Sequence, residues 1–324
     1  MLNGPGLLLS GRTQPDHAKS WAALLFAGYW LMFAAEFFMI RLEQGTDGLW
    51  VATTAEEPAQ WLVLSILCVS GLSFLISIGY VVQTVRSRGK QDWLWAPTEV
   101  TGSDVLHVVA WLHLFQTCTL LMYGLFLPST LFPAGTLGSF LESASYQLFI
   151  LILVPVLMRG RLREIGVSRP RNLGVMIVIL IVLFLAVMLL LDAAVTKPFA
   201  NWLGLALDSD REKLIEQEIV QAKDGNPLSI LAALFVIGGL VPIAEELLFR
   251  GVVQTYLVNR LGALIGILLS SLWFALMHVD VALFAPLFVM GLCLGFLRYR
   301  FQSIWGAVLL HALNNMAGVL YYFQ

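Results

Sequence analysis

Residues 173–191 read LGVMIVILIVLFLAVMLLL, an uncharged run held between Asn172 and Asp192. Roughly 20 apolar residues, each rising 1.5 Å in a helix, cover the ~30 Å hydrocarbon core of a bilayer, so this stretch predicts a membrane-crossing helix. The same reading places spans at 21–40, 60–82, 105–128, 145–158, 172–192, 229–248, 262–278, 282–297 and 303–322. Segment 145–158 is short and contains Pro155, and 282–297 reads as shallow, bent or partly spanning, so the count is eight or nine. The expected fold class is therefore all-α: a polytopic membrane protein with eight or nine membrane helices.

Composition agrees. Hydrophobic residues make up 59% of the 324 positions and charged residues 12%, about half the share of an ordinary soluble domain. The mean hydropathy is +0.82. A net charge of −2, with the few basic residues confined to short connections, gives no surface for nucleic acid. Cys68, Cys118 and Cys293 lie far apart in apolar runs without metal or redox spacing, and read as packing residues.

Basic residues report topology, because Lys and Arg favour the cytoplasmic ends of membrane helices. Arg86, Arg88 and Lys90 follow the second span; Arg159, Arg161, Arg163, Arg169 and Arg171 separate the fourth and fifth; Arg298 and Arg300 precede the last. All fall on one side if nine spans alternate from a cytoplasmic N-terminus. The connections 41–59 and 129–144 are poor in such residues, as this requires. Residues 1–20 form a cytoplasmic N-terminal segment on this reading. The apolar stretch after Trp21 is a full-length anchor, not the short core of a signal peptide. One membrane domain then occupies 21–324, since no internal repeat divides it.

The polar connection 193–228, with Asp208, Glu212, Lys213, Glu216 and Glu218, reads as an exterior amphipathic connector, with a substrate-contacting cap as the alternative. Beyond Asn226-Pro227 the chain can run helically to Asn259, with a possible kink at Pro242. Inside that helix stands Pro242-Ile-Ala-Glu-Glu-Leu-Leu-Phe-Arg-Gly251. Ionisable groups within membrane helices are costly and mark function by default. Glu246 and Arg250, four apart, share a helix face and form a charge-compensating pair, while Glu245 points about 100° away, toward a polar cavity. The next helix carries Phe274-Ala-Leu-Met-His278 and the last His311-Ala-Leu-Asn-Asn315. His311 and Asn315 share one face. Counting from a turn near Arg260 puts Glu245 and His278 at similar depth and His311 shallower, unless the last helix tilts or begins higher.

Glu-Glu-x-x-x-Arg at 245–250, Phe-x-x-x-His at 274–278 and His-x-x-x-Asn at 311–315, in this order on membrane helices, resemble the three motifs of the CAAX protease and bacteriocin-processing enzyme family. This family, also called CPBP or Abi, comprises intramembrane endopeptidases, among them the CAAX prenyl endopeptidases. The resemblance covers about 228–322. It implies a CPBP-type catalytic core in which Glu245, His278, His311 and Asn315 are catalytic, with Glu246 and Arg250 completing the first motif.

Those residues suit hydrolysis in which Glu245 takes a proton from water, His278 assists, and His311 with Asn315 orients the carbonyl or stabilises the oxyanion. No Gly-x-Ser-x-Gly elbow supports a serine route. The family is often described as metalloproteases, and His278, His311 and Glu245 could together bind zinc or another divalent metal. The chain lacks a His-Glu-x-x-His signature, so water activation without metal stands beside that option. Asp280 either orients His278 or caps a helix end. Trp273, Trp305, Tyr321, Tyr322 and Phe323 read as packing or interface anchors, and Gly291, Gly295 and Gly306 as close helix contacts. The expected function is an intramembrane endopeptidase, a hydrolase of a peptide precursor or membrane-associated protein, lodged among membrane lipids of a prokaryotic cell membrane. A membrane transporter and a noncatalytic scaffold or immunity protein are the competing readings.

Overall fold

The computed structural model describes residues 17–55, 58–88, 99–207, 210–225 and 227–322. Lys90, Asp208, Asn226, Phe323 and most of the N-terminal segment 1–20 lie outside the described residues. Helices α1 (His17–Phe38), α2 (Gln60–Arg88) and α3 (Gly102–Leu125) form an N-terminal bundle, with a two-stranded hairpin, β1 (Ile40–Gln44) and β2 (Trp50–Thr54), between the first two. Then follow α4 (Leu137–Ser143), α5 (Ser145–Leu157), α6 (Leu173–Leu191), α7 (Lys197–Leu203) and α8 (Asp210–Gly225). The C-terminal part comprises α9 (Pro227–Phe235), α10 (Val241–Glu246), α11 (Gln254–Leu261), α12 (Ala263–Leu276), α13 (Phe284–Phe301) and α14 (Trp305–Tyr322).

The chain is an integral membrane protein built of helices. Among the described residues six helices are long and apolar enough to cross a bilayer: Ala18–Phe38, Gln60–Arg86, Gly102–Leu125, Leu173–Leu203, Leu228–Leu261 and Phe284–Phe301. The pair α4–α5, bent by 63°, makes a seventh if taken as one span. Two expected spans miss this standard. Helix α12 has 14 residues, about 21 Å at 1.5 Å each, and α14 carries His311, Asn314 and Asn315 on an 18-residue helix. Both belong to the half that contains the candidate site.

Outward faces are apolar, as a lipid solvent requires. Leu64, Leu67, Leu72 and Leu75 of α2 and Val178, Val182, Leu185 and Leu189 of α6 are exposed. Helices meet through small residues. A side chain on Gly291 or Gly295 of α13 would come within about 3 Å of Ser271 or Ile267 of α12, so these glycines set that contact.

The basic connections gather at one end. Arg161 bonds both the Asp104 carboxylate and the Glu99 carbonyl, and the carboxylate raises its guanidinium above the usual range. Nearby, Arg171 N–H donates to Phe301 and Ile304 N–H to Gly166. At the other end, β2 pairs with the segment after α7: Trp50 N–H donates to Gly204, and Ala206 N–H to Trp50. Helix α8 lies toward this second end against α9 and α14. Its inner residues Ile219 and Ala222 are fully buried with Phe140, Ala233 and Val319. The 193–228 connection is thus more than an exterior connector: α8 covers a cavity.

Candidate active site

The long helix Leu228–Leu261 changes register twice, and Pro242 accounts for the first change. Proline lacks an N–H and its ring collides with the carbonyl four residues back, so an α-helix cannot run through it undisturbed. Here Val236–Leu240 widens into a π turn, with Val241 N–H bonded to the Val236 carbonyl five residues earlier. In this register the next donor would be Pro242, which has none, and the Ile237 carbonyl is left over. Asn315 Nδ2 donates to it at 3.1 Å. Gly238 lets α14 approach: a Cβ there would lie 2.5 Å from Met316 Cγ. The spans between these widened turns are short; a second π turn covers Leu247–Val253, so α10, with both glutamates, is framed on either side.

Glu246 and Arg250 are fully buried. Arg250 Nε lies 3.2 Å from Glu246 Oε2, its Nη2 donates to the Gly291 carbonyl, and its guanidinium covers the Phe274 ring at 4.3 Å. The other Glu246 oxygen meets His311 Nδ1 at 3.0 Å. A carboxylate on Nδ1 fixes the imidazole and turns Nε2 outward. That nitrogen faces Glu245 Oε2 at 4.0 Å, longer than a hydrogen bond. His311 therefore links a buried ion pair to a carboxylate that borders open space.

That space is a cavity of about 350 Å³ bordered by Glu245, His278, His311 and Asn315, together with Gln147, Asn314 and apolar walls. The ring of Phe274 touches both histidines edge-on, with centroids 4.8 Å from His278 and 5.8 Å from His311. His278 Nδ1 lies 2.8 Å from the Phe274 carbonyl, so donation there leaves Nε2 as the ring's acceptor. The next residue, Val279, has φ +50°, a left-handed conformation unusual for a β-branched side chain. Tyr29 of α1 braces this turn, donating to Met277 Sδ and accepting from Trp273 Nε1.

The expected pairing of Glu246 with Arg250 and the cavity-facing position of Glu245 match this geometry. His311 reaches the level of Glu245, its Nε2 4.0 Å from Glu245 Oε2, which meets the condition that the last helix tilt or begin higher. The three candidate metal ligands are spread apart. Among the described residues no three His, Cys, Asp or Glu side chains form a metal-holding group, and His278, His311 and Glu245 do not converge as such. His278 is drawn to the Phe274 carbonyl and His311 to Glu246, so no step below passes through a metal. Asp280 Oδ1 accepts from Leu283 N–H at the start of α13, as a helix-end residue does. The three cysteines are free thiols.

One polar cavity residue escaped the sequence reading, and a second, Glu218, enters it only as part of the polar connection whose alternative is a substrate-contacting cap. Gln147, on α5, points Nε2 at Glu245 Oε1 over 3.4 Å; an amide in the apolar run SYQLFILILVPVL was the available sign. Glu218 of α8 also borders the cavity. Below Arg250 a buried polar seam continues through Gln254, which donates to Gly295, to Thr255 and Arg298, whose Nη2 bonds Thr255 and the Glu164 carbonyl.

No curated protein and no solved structure matches the chain significantly. Residues 227–317, which carry all three motifs and both π turns of the long helix, match the family described as Type II CAAX prenyl endopeptidase Rce1-like. This C-terminal segment, a little over a quarter of the chain, is therefore similar to the Rce1-like, type II CAAX prenyl endopeptidases of the CPBP family.

Proposed function

We propose that this protein is an intramembrane endopeptidase that hydrolyses a peptide bond with water activated by Glu245. The family match points to CAAX-type intramembrane proteolysis. The observation that carries the reading is the single cavity bordered by Glu245, His278, His311 and Asn315, backed by the Glu246–Arg250 pair.

A water hydrogen-bonded to both Glu245 Oε2 and His311 Nε2 spans their 4.0 Å separation at ordinary bond lengths. Its two protons would point at these acceptors and its lone pair at the substrate. Water oxygen adds to the peptide carbonyl carbon as Glu245 takes a proton. The carbonyl oxygen becomes an oxyanion, held by the second Nδ2 hydrogen of Asn315 and, when the ring carries a proton on both nitrogens so that Nε2 turns from acceptor to donor, by His278. Glu245 then gives its proton to the amide nitrogen, the C–N bond breaks, and the carboxylic acid so formed passes its remaining proton to the amine, so that a carboxylate and an ammonium leave. No covalent enzyme intermediate forms. Relative to the sequence expectation the histidines exchange parts: His311, closer to Glu245, shares the water, and His278 stabilises charge.

The substrate on this reading is a peptide precursor or membrane-associated protein reached within the lipid phase, with the basic loops and the N-terminus on the cytoplasmic side of a prokaryotic membrane. The buried seam through Gln254 and Arg298 is what a transporter reading would rest on. Gln254 and Arg298 are tied to backbone carbonyls, and the cavity of about 330 Å³ that they line shares no residue with the one at Glu245, which favours two separate pockets over a continuous route.

The test is cleavage of a library of peptides and membrane proteins by the protein reconstituted in lipid, with and without chelator. Defined products from wild type that vanish in Glu245→Gln and His311→Ala are expected. Wild-type products from both variants would reject the assignment, and ion flux into loaded vesicles without any cleavage would favour transport.

A further inference from the structure

Helix α8 is amphipathic, and one residue on it stands on the wrong face. Ile215, Glu218, Ile219 and Ala222 follow the i, i+3, i+4, i+7 spacing of a single helix stripe. Ile219 and Ala222 are fully buried on this stripe, which turns toward α4, α9 and α14. The other polar residues of the helix, Lys213, Glu216 and Lys223, are exposed, as solvent-facing positions should be. Of the charged side chains described on this helix, only Glu218 turns inward. It is half-buried and borders the same cavity as Glu245 and the two histidines. Burial raises its carboxyl above the usual range and the Glu142 charge adds to this, while the Ser139 hydroxyl opposes it. A carboxylate in this position weakens the packing of the stripe without gaining a cationic partner: among the described residues bordering the cavity there is no Lys or Arg.

We propose that Glu218 is a specificity-determining residue, selecting a substrate segment that is apolar but carries one Lys or Arg side chain on the α8 side of the scissile bond. This rests on the peptidase reading above. The cavity supplies the complementary features: Ile215, Ile237, Leu287 and Met290 form apolar wall, and Glu218 faces that wall from the covering helix. A cationic side chain meeting Glu218 there gains a charge-assisted contact in a partly dehydrated setting, whereas an acidic one meets two carboxylates, Glu218 and Glu245.

The experiment uses the full chain in lipid nanodiscs and a set of short apolar peptides in which one Lys, norleucine or Glu is stepped along an otherwise constant sequence. Binding is measured on the Glu245→Gln protein, and cleavage on wild type by mass spectrometry. At one peptide position Lys should bind about tenfold tighter than Glu. In the Glu245→Gln background, Glu218→Gln should erase the preference and Glu218→Lys reverse it, while Glu216→Lys on the exposed face leaves it intact. Cleavage by wild type should follow the same order. A preference absent from the parent, or unchanged in Glu218→Lys, overturns the role of Glu218; if Glu245-dependent cleavage persists in that case, the peptidase reading survives. Charge-selective binding that depends on Glu218 without cleavage of any peptide sinks the peptidase reading instead. Failure of every peptide to bind overturns the proposal.

Discussion

The N-terminal bundle α1–α3 and the C-terminal region α9–α14 both bury polar groups inside a membrane protein, but of different kinds. In the bundle, Ser70, Ser73, Ser77, His113 and Thr117 are buried, and the contacts are between side chains that need carry no charge: His113 Nε2 with Ser73 Oγ at 2.8 Å, and Tyr80 with His107 at 2.8 Å. Hydrogen bonds of this sort hold membrane helices together at modest energy. In the C-terminal region a full ion pair, Glu246–Arg250, is buried with His311 attached to it, and a further carboxylate, Glu245, is left at the edge of a cavity. Neutral pairs suffice for association. An ion pair at depth costs far more than helix packing requires, which is why its location, and not polarity in general, marks the site.

The comparison can be broken most directly at Glu245. Glu245→Gln keeps the shape of the side chain and removes the base, so cleavage of an identified substrate should fall by about 10²–10⁴-fold while thermal unfolding in detergent barely changes. A variant that unfolds readily would instead place Glu245 with the structural residues.

Arg250→Met should be the most destabilising change. It leaves the Glu246 charge uncompensated at a fully buried position, a loss of about 3–5 kcal/mol. Combining it with Glu246→Gln should restore much of that stability but not activity, because His311 would lose the carboxylate on Nδ1. A double variant no more stable than Arg250→Met would show that the pair is not the unit drawn here.

Asn315→Leu strands the Ile237 carbonyl that Pro242 cannot serve, costing about 1–3 kcal/mol. Pro242→Ala in the same protein, by offering an N–H to that carbonyl, should reduce the loss; equal loss in both backgrounds would detach Asn315 from the proline.

In the bundle, Ser73→Ala and His113→Leu together should show a coupling near 0.6 kcal/mol in a double-mutant cycle, with cleavage unaltered. A large loss of activity would mean that α1–α3 belong to the chemistry.

The smallest effect is expected at Glu218, and it has a pH signature. Its folded-state carboxyl titrates above the usual value, so the charged form is disfavoured by folding. At pH values below the unfolded pKa the carboxyl is neutral in both states and Glu218→Gln changes little. As the pH rises through the folded pKa the penalty of charging appears in full, and Glu218→Gln should then raise the melting temperature slightly at neutral pH. A lowered melting temperature at neutral pH would show that the charged form is stabilised in the fold.

Much of the site could be read along the chain because its parts are local. Glu246 and Arg250 reveal themselves by i, i+4 spacing, and His311 with Asn315 by the same rule. Pro242 announced a disturbance of the helix, although not its form: the π widening depends on Gly238 meeting Met316 of α14. Gln147 was obscured because one amide in an apolar run has no local partner, and its contact with Glu245 spans 98 positions of sequence. Whether the last helix tilts or begins higher to bring His311 level with Glu245 could not be read along the chain, because its placement is set by packing on Gly166 and α6.

The residues alone establish that this chain lives in a membrane, where its long apolar runs and basic loops fall along it, and which ionisable residues are too costly to be incidental. These are properties of composition and short-range periodicity, and they follow from the transfer of side chains between water and lipid. Only the tertiary structure decided that His311 joins the two glutamates, that His278 is drawn aside so that no metal trio forms, and that α8 closes the cavity with Glu218 turned inward. Each of these depends on distances between helices far apart in sequence, which are set by how their surfaces pack and which no local pattern encodes.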